Sequence, residues 1–307
     1  MKVAVLIPCY NEALSIRQVV QDCKKHLPDA TVYVYDNNST DDTIAIAREA
    51  GAVVRSEKHQ GKGNVVRRMF ADIEADVYVM TDGDATYDIA SVPAMIQKLL
   101  DERLDMVTGV RKTKEQTAYR SGHQFGNKMM TRIVHWFFGK HTEDMLSGLR
   151  VFSRRFVKSY PATSKGFEIE TELTVYSSSM RLPVADYETP YYSRPEGSVS
   201  KLSTFKDGWR ILKMIAVLIK EERPLLFFGI GAIVLFLLSV LCAVPVIIHY
   251  WETGLVPRIP TAILSVGFML CAGVSLTLAL ILDTVSKTRM ELRRMKYLAT
   301  PFYQEDK

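Results

Sequence analysis

The stretch VYVMTDGDATYD, residues 77–88, sets an apolar run directly against a pair of carboxylates. Its first four residues predict a buried strand, and that strand ends by delivering Asp82 and Asp84 to its carboxyl end. Carboxylates at i and i+2 share one side of an extended segment, and Gly83 between them lets the backbone approach a ligand closely. Hard oxygen donors in this arrangement suit Mg²⁺ or Mn²⁺ carrying a diphosphate. The same letters also describe a plain strand-to-turn exit with solvated acids. The segments on either side have to separate the two.

Towards the N-terminus, residues 3–7 are a short continuous apolar run, the pattern of a strand buried on both faces. Residues 8–12 read as a loop, and residues 13–26 carry helical spacing through Leu14, Ile16, Val19, Val20 and Cys23. Residues 31–35 predict a second strand, ending in Asp36-Asn37-Asn38-Ser39-Thr40. Ser39 or Thr40 can cap the helix that follows, with Asp41 and Asp42 at its positive end. Residues 52–55 predict a third strand, and Gly61-Lys62-Gly63 opens a helix through Phe70. Strand, loop and helix recur with short connections, so the spacing predicts an α/β domain with a mostly parallel sheet. Ligands in such sheets bind beyond the carboxyl ends of the strands. Residues 8–12, 36–38 and 82–84 then converge. Further on, the pattern predicts a helix over 91–100 and a strand over 106–110 ending near Arg111. An amphipathic segment over 123–138, a strand over 146–152 and a helix over 167–180 follow. Residues 187–194 are extended, and Pro190 and Pro195 mark them as an edge strand or a loop.

The chain has 307 residues, 48% of them hydrophobic, with a net charge of +5. That charge is mild for the length and gives no footing for nucleic-acid binding. Cys9, Cys23, Cys242 and Cys271 are scattered without metal-ligand spacing and read as reduced, mostly packed thiols. The run 3–7 is too short for a secretory signal and stops at Pro8, so the front of the chain is expected in the cytosol. Residues 225–248 are uncharged and, at 1.5 Å rise, about 36 Å long, enough to span a bilayer. Residues 260–282 are a second such segment, so residues 224–283 predict a transmembrane hairpin. The turn between has Tyr250 and Trp251 at interface depth and a single cation, Arg258. Lys213, Lys220 and Arg223 lie before the hairpin, and Lys287, Arg289, Arg293, Arg294 and Lys296 after it. The positive-inside rule puts both flanks in the cytosol. Residues 205–223 are amphipathic and fit either the lipid interface or an ordinary core helix. The expected organisation is a catalytic domain over 1–204, the amphipathic helix, the hairpin and a basic cytosolic tail over 284–307. Gly229, Gly231, Gly267 and Gly273 offer close helix packing within or between chains, the latter giving a homo-oligomer.

With these motifs in hand, the chain resembles the family 2 glycosyltransferases of GT-A fold, specifically the polyprenyl-phosphate glycosyltransferases related to dolichol-phosphate mannose synthase. The motif order covers residues 2–201. Ile7-Pro8-Cys9-Tyr10-Asn11-Glu12 is similar to the family's opening strand and loop, and Asp36-Asn37-Asn38-Ser39-Thr40-Asp41 to its second. Gly61-Lys62-Gly63-Asn64 resembles its glycine-lysine-glycine turn and Asp82-Gly83-Asp84 its metal motif. Asp144 with Ser147-Gly148-Leu149-Arg150 resembles the acceptor-side motif. Arg194, Gly197, Ser200 and Lys201 resemble the closing Arg-x-x-Gly-x-Ser-Lys pattern with one extra residue inserted.

The resemblance implies an inverting sugar transfer from a nucleotide-sugar to an undecaprenyl or dolichyl phosphate, with Mg²⁺ or Mn²⁺ as cofactor. It also implies a bacterial or archaeal cytoplasmic membrane. Pro8, Tyr10, Asn11, Glu12, Asp36, Asn38, Lys62, Gly63, Asp82 and Gly83 are then expected to bind the donor. Asp84 would ligate the metal, and Asp82 the ribose or a metal-bound water, the cation neutralising the departing diphosphate. An acceptor phosphate is already anionic and needs no strong base, so cations hold it, Arg120, Arg150, Arg194 and Lys201, together with the Ser147 hydroxyl, and Arg111 and Arg150 stand beside the reacting centre. His59, His123, His135 and His141 have no ligand spacing. Mannose synthases usually continue with Leu-Gln after the second Asp, the Gln being a metal ligand. Here Ala85-Thr86-Tyr87-Asp88 follows, so Thr86 is the expected third ligand, aided by water or Asp88, and the pattern leans to UDP-sugars over GDP-mannose. Two rivals share the letters. One is a haloacid-dehalogenase-type phosphatase with Asp82 as nucleophile, the other a membrane-anchored nucleotide sensor.

Overall fold

A computed structural model describes residues 1–112, 132–137, 139, 142–195 and 204–303. β1 (Val3–Cys9), β2 (Thr31–Asp36), β3 (Val53–Ser56) and β4 (Val77–Met80) pair in parallel. β5 (Met106–Lys112), β6 (Arg150–Ser153) and β7 (Val184–Pro190) complete a seven-stranded sheet of order β3-β2-β1-β4-β6-β5-β7. Only β6 runs against its neighbours. Cys9 pairs with Asp36, and Met80 with both Leu6 and Arg150. The chain therefore leaves β1, β2 and β4, and enters β6, side by side on one end of the sheet.

Alternation along β4 shows both faces covered. Val77 and Val79 join a cluster with Ile16, Val19 and Val20 of α1 (Ile16–His26) and Met95 and Leu99 of α4 (Val92–Asp101). Tyr78 faces the other way. It packs edge-on against Phe70 of α3 (Lys62–Asp72), within an aromatic group that includes Phe152, Phe156 of α6 (Arg154–Ser159) and Tyr176 of α7 (Ile169–Met180). α2 (Thr43–Glu49) links β2 to β3, and α5 (132–137) is the described part of the amphipathic segment expected over 123–138.

Three boundaries move, each for a local reason. The first helix begins at Ile16 rather than residue 13, because Ser15 turns its hydroxyl onto the Gly83 carbonyl at 2.7 Å. The strand expected over 146–152 begins only at Arg150, since Ser147 folds back to donate to the Gly109 carbonyl at 2.6 Å. The helix expected from residue 167 starts at Ile169. Residues 187–194 were expected as an edge strand or a loop, and β7 does close the sheet there.

Beyond the sheet come α8 (Thr204–Glu222), α9 (Pro224–Thr253) and α10 (Ile259–Leu298). On α8, Ile215, Leu218 and Ile219 are buried while Trp209 is exposed. The chain divides into two units, Met1–Ile215 with Arg293–Lys307, and Ala216–Leu292. In the second unit, α9 and α10 are long and apolar enough to cross a membrane. They are stitched by reciprocal bonds, Ser239 Oγ to the Ser265 carbonyl at 2.8 Å and Ser265 Oγ to the Ser239 carbonyl at 3.0 Å. Small residues recur every seventh position on the buried side of α10, at Ser265, Ala272, Ala279 and Ser286, while large apolar side chains such as Ile263, Leu270 and Leu280 are exposed. A soluble core helix would have that surface covered.

The stretch expected as a separate tail over 284–307 continues α10 to Leu298, and its end packs into the first unit. Tyr297 donates to Asp105 Oδ2 at 2.7 Å, and the Arg155 guanidinium lies 4.9 Å from the Tyr297 ring and 5.0 Å from that of Phe302.

Candidate active site

A cavity of about 630 Å³ opens at the carboxyl ends of the parallel strands. Its floor is Asp82-Gly83-Asp84, leaving β4 between the loop after β1 and the loop before β6. Both close approaches require glycine. A Cβ on Gly83 would lie 2.7 Å from Cys9 Sγ, and one on Gly148 would lie 2.5 Å from Asp82 Oδ2.

Both carboxylates of the floor hold cations. Lys62 Nζ lies 2.5 Å from Asp82 Oδ1 and 2.5 Å from Glu170 Oε1, and Arg194 Nη2 lies 2.6 Å from Asp84 Oδ2. Burial alone would lower the Lys62 pKa, but Asp82 and Glu170 outweigh it and hold the ammonium charged. Burial, and then the charge of Asp82, push the Asp84 carboxyl up, with Arg194 opposing. Thr86 Oγ1 donates to Asp84 Oδ1 at 2.7 Å. Between these two residues Ala85 sits in the left-handed region at φ 59°, a conformation costing about 1–2 kcal/mol for a residue with a Cβ.

One wall is polar. Tyr10, Glu12, Asn37 and Gln60 line it, and Asn37 is its clamp. Its amide donates to the carbonyls of Glu57 and His59 at 2.8 and 2.9 Å, and its oxygen accepts from the Gly61 N–H at 2.7 Å. The opposite wall is aromatic and cationic. Tyr87 accepts from the Gly148 N–H at 2.7 Å and packs edge-on to Tyr191, while Arg111 lies 5.4 Å from the Tyr191 ring centre. Arg111 is held flat by a two-pronged pair with Asp144, at 2.6 and 2.7 Å. A third wall, residues 165–168, leans on the glycine-lysine-glycine turn. A Cβ on Gly63 would meet the Ser164 carbonyl at 2.3 Å, and one on Gly61, whose φ is 127°, the Lys165 carbonyl at 2.1 Å.

Residues 4–160 match the family model described as glycosyl transferase family 2. The chain belongs to that family. It is 48% identical over 160 residues to an uncharacterized Shigella flexneri protein, covering 52% of this chain and 98% of that one. It is 35% identical over 229 residues to the glycosyltransferase AglJ of Haloferax volcanii, covering 74% and 75% of the two chains. A dolichyl-phosphate hexose transferase of the same archaeon is 28% identical, covering 72% of this chain and 95% of its own. Among solved structures, glucosyl-3-phosphoglycerate synthase from Mycobacterium tuberculosis, in complex with Mn²⁺, UDP-glucose and phosphoglyceric acid, superposes with a TM-score of 0.59 at 23% identity. That match covers 71% of this chain and 79% of the synthase. The sheet and its helices are thus the GT-A fold, and family membership removes the dehalogenase-type phosphatase reading.

Within this family 2 glycosyltransferase, Pro8, Tyr10, Glu12, Lys62, Asp82 and Gly83 all reach the cavity, as do Asp84, Arg111 and Arg194. Several expected residues do not. Arg150, expected at the reacting centre and at the acceptor phosphate, is wholly buried. Its guanidinium donates to the carbonyls of Ser147, Met145 and Glu170 and to Thr174 Oγ1. It is a strut between the loop before β6 and the start of α7. Ser147, engaged with Gly109, belongs to the same scaffold. Thr86, expected as a third ligand, is buried off the cavity wall and directs its proton to Asp84, orienting that carboxylate. Asn38 is exposed in a left-handed turn at φ 65°, and the neighbouring Asn37 takes the place expected for it. Asn11 ties the loops after β1 and β2 together, its backbone N–H donating to Ser39 Oγ and its side-chain oxygen accepting from the Thr40 N–H. Asp36 lies just behind the polar wall, with Oδ2 on the Ser39 N–H and Oδ1 buried without a hydrogen bond. Arg120, Lys201, Gly197 and Ser200 lie outside the described residues. Lys165, Glu168 and Glu170 line the cavity as well, from the segment before α7 and from its first turn, and carry no motif in the sequence that marks them.

Among the described residues, no group of three or more His, Cys, Asp or Glu side chains is arranged to hold a metal by itself. Two aspartates on one floor are nonetheless the donor type for a Mg²⁺ or Mn²⁺ ion that completes its shell with phosphate oxygens and water. That each already draws a cationic side chain shows the electrostatic demand of the floor.

Proposed function

We propose that the chain is an inverting, divalent-metal-dependent transferase that moves a sugar from a nucleotide-sugar onto a polyprenyl phosphate. UDP-sugars are favoured over GDP-mannose as donors. The observation that carries this reading is the Asp82-Gly83-Asp84 floor of a cavity walled by donor-binding groups on one side and guanidiniums on the other. The lipid acceptor is supported by the likeness to a dolichyl-phosphate hexose transferase and by the two long apolar helices.

In this reading, Asn37, Gln60 and Glu12 provide donors and acceptors for base and ribose, beside the Tyr10 ring. Asp84 and Asp82 would hold a divalent cation, which when bound would supply charge neutralisation for the departing diphosphate. Lys62 adds a fixed positive charge beside Asp82. Arg111, kept flat by Asp144, and Arg194 position the acceptor phosphate. A phosphate oxygen attacks the anomeric carbon from the face opposite the nucleotide. The carbon–oxygen bond to the diphosphate breaks, and its electron pair leaves with the nucleoside diphosphate. The acceptor oxygen is already an anion, so no side chain has to remove a proton.

Membrane attachment follows the same reading. The two apolar helices cross the bilayer, their cationic flanks stay in the cytosol with the catalytic domain, and residues 205–223 lie in the interface. The test is to incubate the purified full chain with polyprenyl phosphate and a panel of UDP- and GDP-sugars, with Mn²⁺ or with a chelator. A lipid-linked sugar from a UDP donor, lost on chelation, is expected. Metal-dependent nucleotide binding with no transfer from any donor would favour the sensor instead.

A further inference from the structure

Glu170 is the second carboxylate on Lys62. It stands in the first turn of α7, and its side chain is 5% exposed although it forms part of the cavity wall. Its place is held from behind by Arg150, which donates to the Glu170 carbonyl at 3.2 Å, and Thr174 Oγ1 donates to the same carbonyl at 3.0 Å. Two residues later Glu172 accepts from the backbone N–H groups of Thr163 and Ser164, fixing the segment that abuts Gly63. The ammonium of Lys62 is therefore located from two sides, by the turn that carries it and by the helix that meets it.

A buried lysine facing one aspartate would form a neutral pair and leave that aspartate a poor ligand for a second cation. With Glu170 present, one ammonium is shared by two carboxylates at equal distance. We propose that Glu170 is a positioning residue for the transfer reaction: by holding the Lys62 ammonium from the α7 side it keeps that cation from closing on Asp82 alone and leaves Asp82 able to help hold a divalent cation. The proposal rests on the reading of the cavity as a site for a nucleotide and a cation, and is independent of the lipid acceptor.

The experiment uses the full chain in detergent. Mn²⁺ binding is followed by the loss of the free-ion paramagnetic resonance signal at saturating UDP, and UDP binding is measured separately by calorimetry in a chelator. Glu170→Gln is expected to weaken Mn²⁺ binding about tenfold, from one charge lost in a poorly solvated site. It is also expected to leave metal-free UDP affinity equal or higher, because one negative charge near the diphosphate is gone. A loosened site would weaken both. Loss of both, or no change in Mn²⁺ affinity, overturns the proposal. No Mn²⁺ binding by the unaltered chain overturns the cavity reading along with it. If Glu170→Gln does not fold, Glu170→Asp takes its place, since a carboxylate one methylene shorter leaves a gap to Lys62. Weaker Mn²⁺ binding with UDP binding kept supports the proposal there, and unchanged Mn²⁺ binding refutes it.

Discussion

Asp84 and Arg150 are two charged residues at the carboxyl end of the sheet with opposite consequences when removed. Asp84→Ala takes away a carboxylate proposed to hold the cation. It is expected to reduce sugar transfer by about a hundredfold to a thousandfold with little change in melting temperature. Metal-dependent transfer retained at the native level would move the cation elsewhere. Arg150→Met leaves the buried carbonyls of Met145 and Ser147 without this donor, and each such group left unsatisfied costs about 1–3 kcal/mol. Its expected signature is a large drop in melting temperature. An Arg150→Met protein that melts like the native chain and has lost only activity would restore Arg150 to the reacting centre. The sequence makes Asp82 and Asp84 legible because period-two geometry puts both on one side of a strand end. It cannot separate Arg111 from Arg150, since each adjoins an apolar strand. The difference is one of direction. β6 enters the sheet at the end where β5 leaves it, and the hydrogen bonds of Arg150 then turn inward. The shift from Asn38 to Asn37 has the same origin, because a left-handed residue at 38 turns its own side chain out and leaves its neighbour facing in.

At the scale of elements, the strand-loop-helix rhythm marks β1 to β4 nearly to the residue, because buried parallel strands are short unbroken apolar runs. α7 ends at its expected residue and starts two residues later, but the partners of its side chains are less legible. Eleven of its twelve residues are buried, charged and hydroxyl side chains included. Its two buried glutamates are partnered only through tertiary contacts, Glu170 with Lys62 and Glu172 with the 163–164 backbone. The end of α10 is hidden for a similar reason. A run of Lys and Arg after an apolar span reads as a solvated tail, whereas Tyr297 and Phe302 bracket Arg155 beside the fully buried Asp105. Tyr297→Phe keeps the ring and removes the hydrogen bond to Asp105. The expected cost is about 1–2 kcal/mol, a fall of a few degrees in the unfolding of the first unit, measured by calorimetry. An unchanged transition would mean that this contact adds nothing to that unit's stability.

Across the whole molecule, charge and hydropathy divide the labour. The chain up to Arg194 holds the sheet and the cavity, and the long apolar runs concentrate after Pro224. Cys9 and Cys23 are both buried, and burial, with Asp22 nearby, pushes the Cys23 thiol up to about 12, as suits a packed, inert thiol. The acidic floor, the flanking guanidiniums and the two apolar helices together support the proposed passing of a sugar, with inversion, to a phosphate on a lipid. This is tested by the anomeric configuration of the lipid-phosphate product made from an α-linked nucleotide-sugar, read from the anomeric proton and carbon couplings in its NMR spectrum. A β-linked sugar phosphate that partitions into the organic phase is expected. An α-linked product, or release of free sugar with no lipid product, would contradict it.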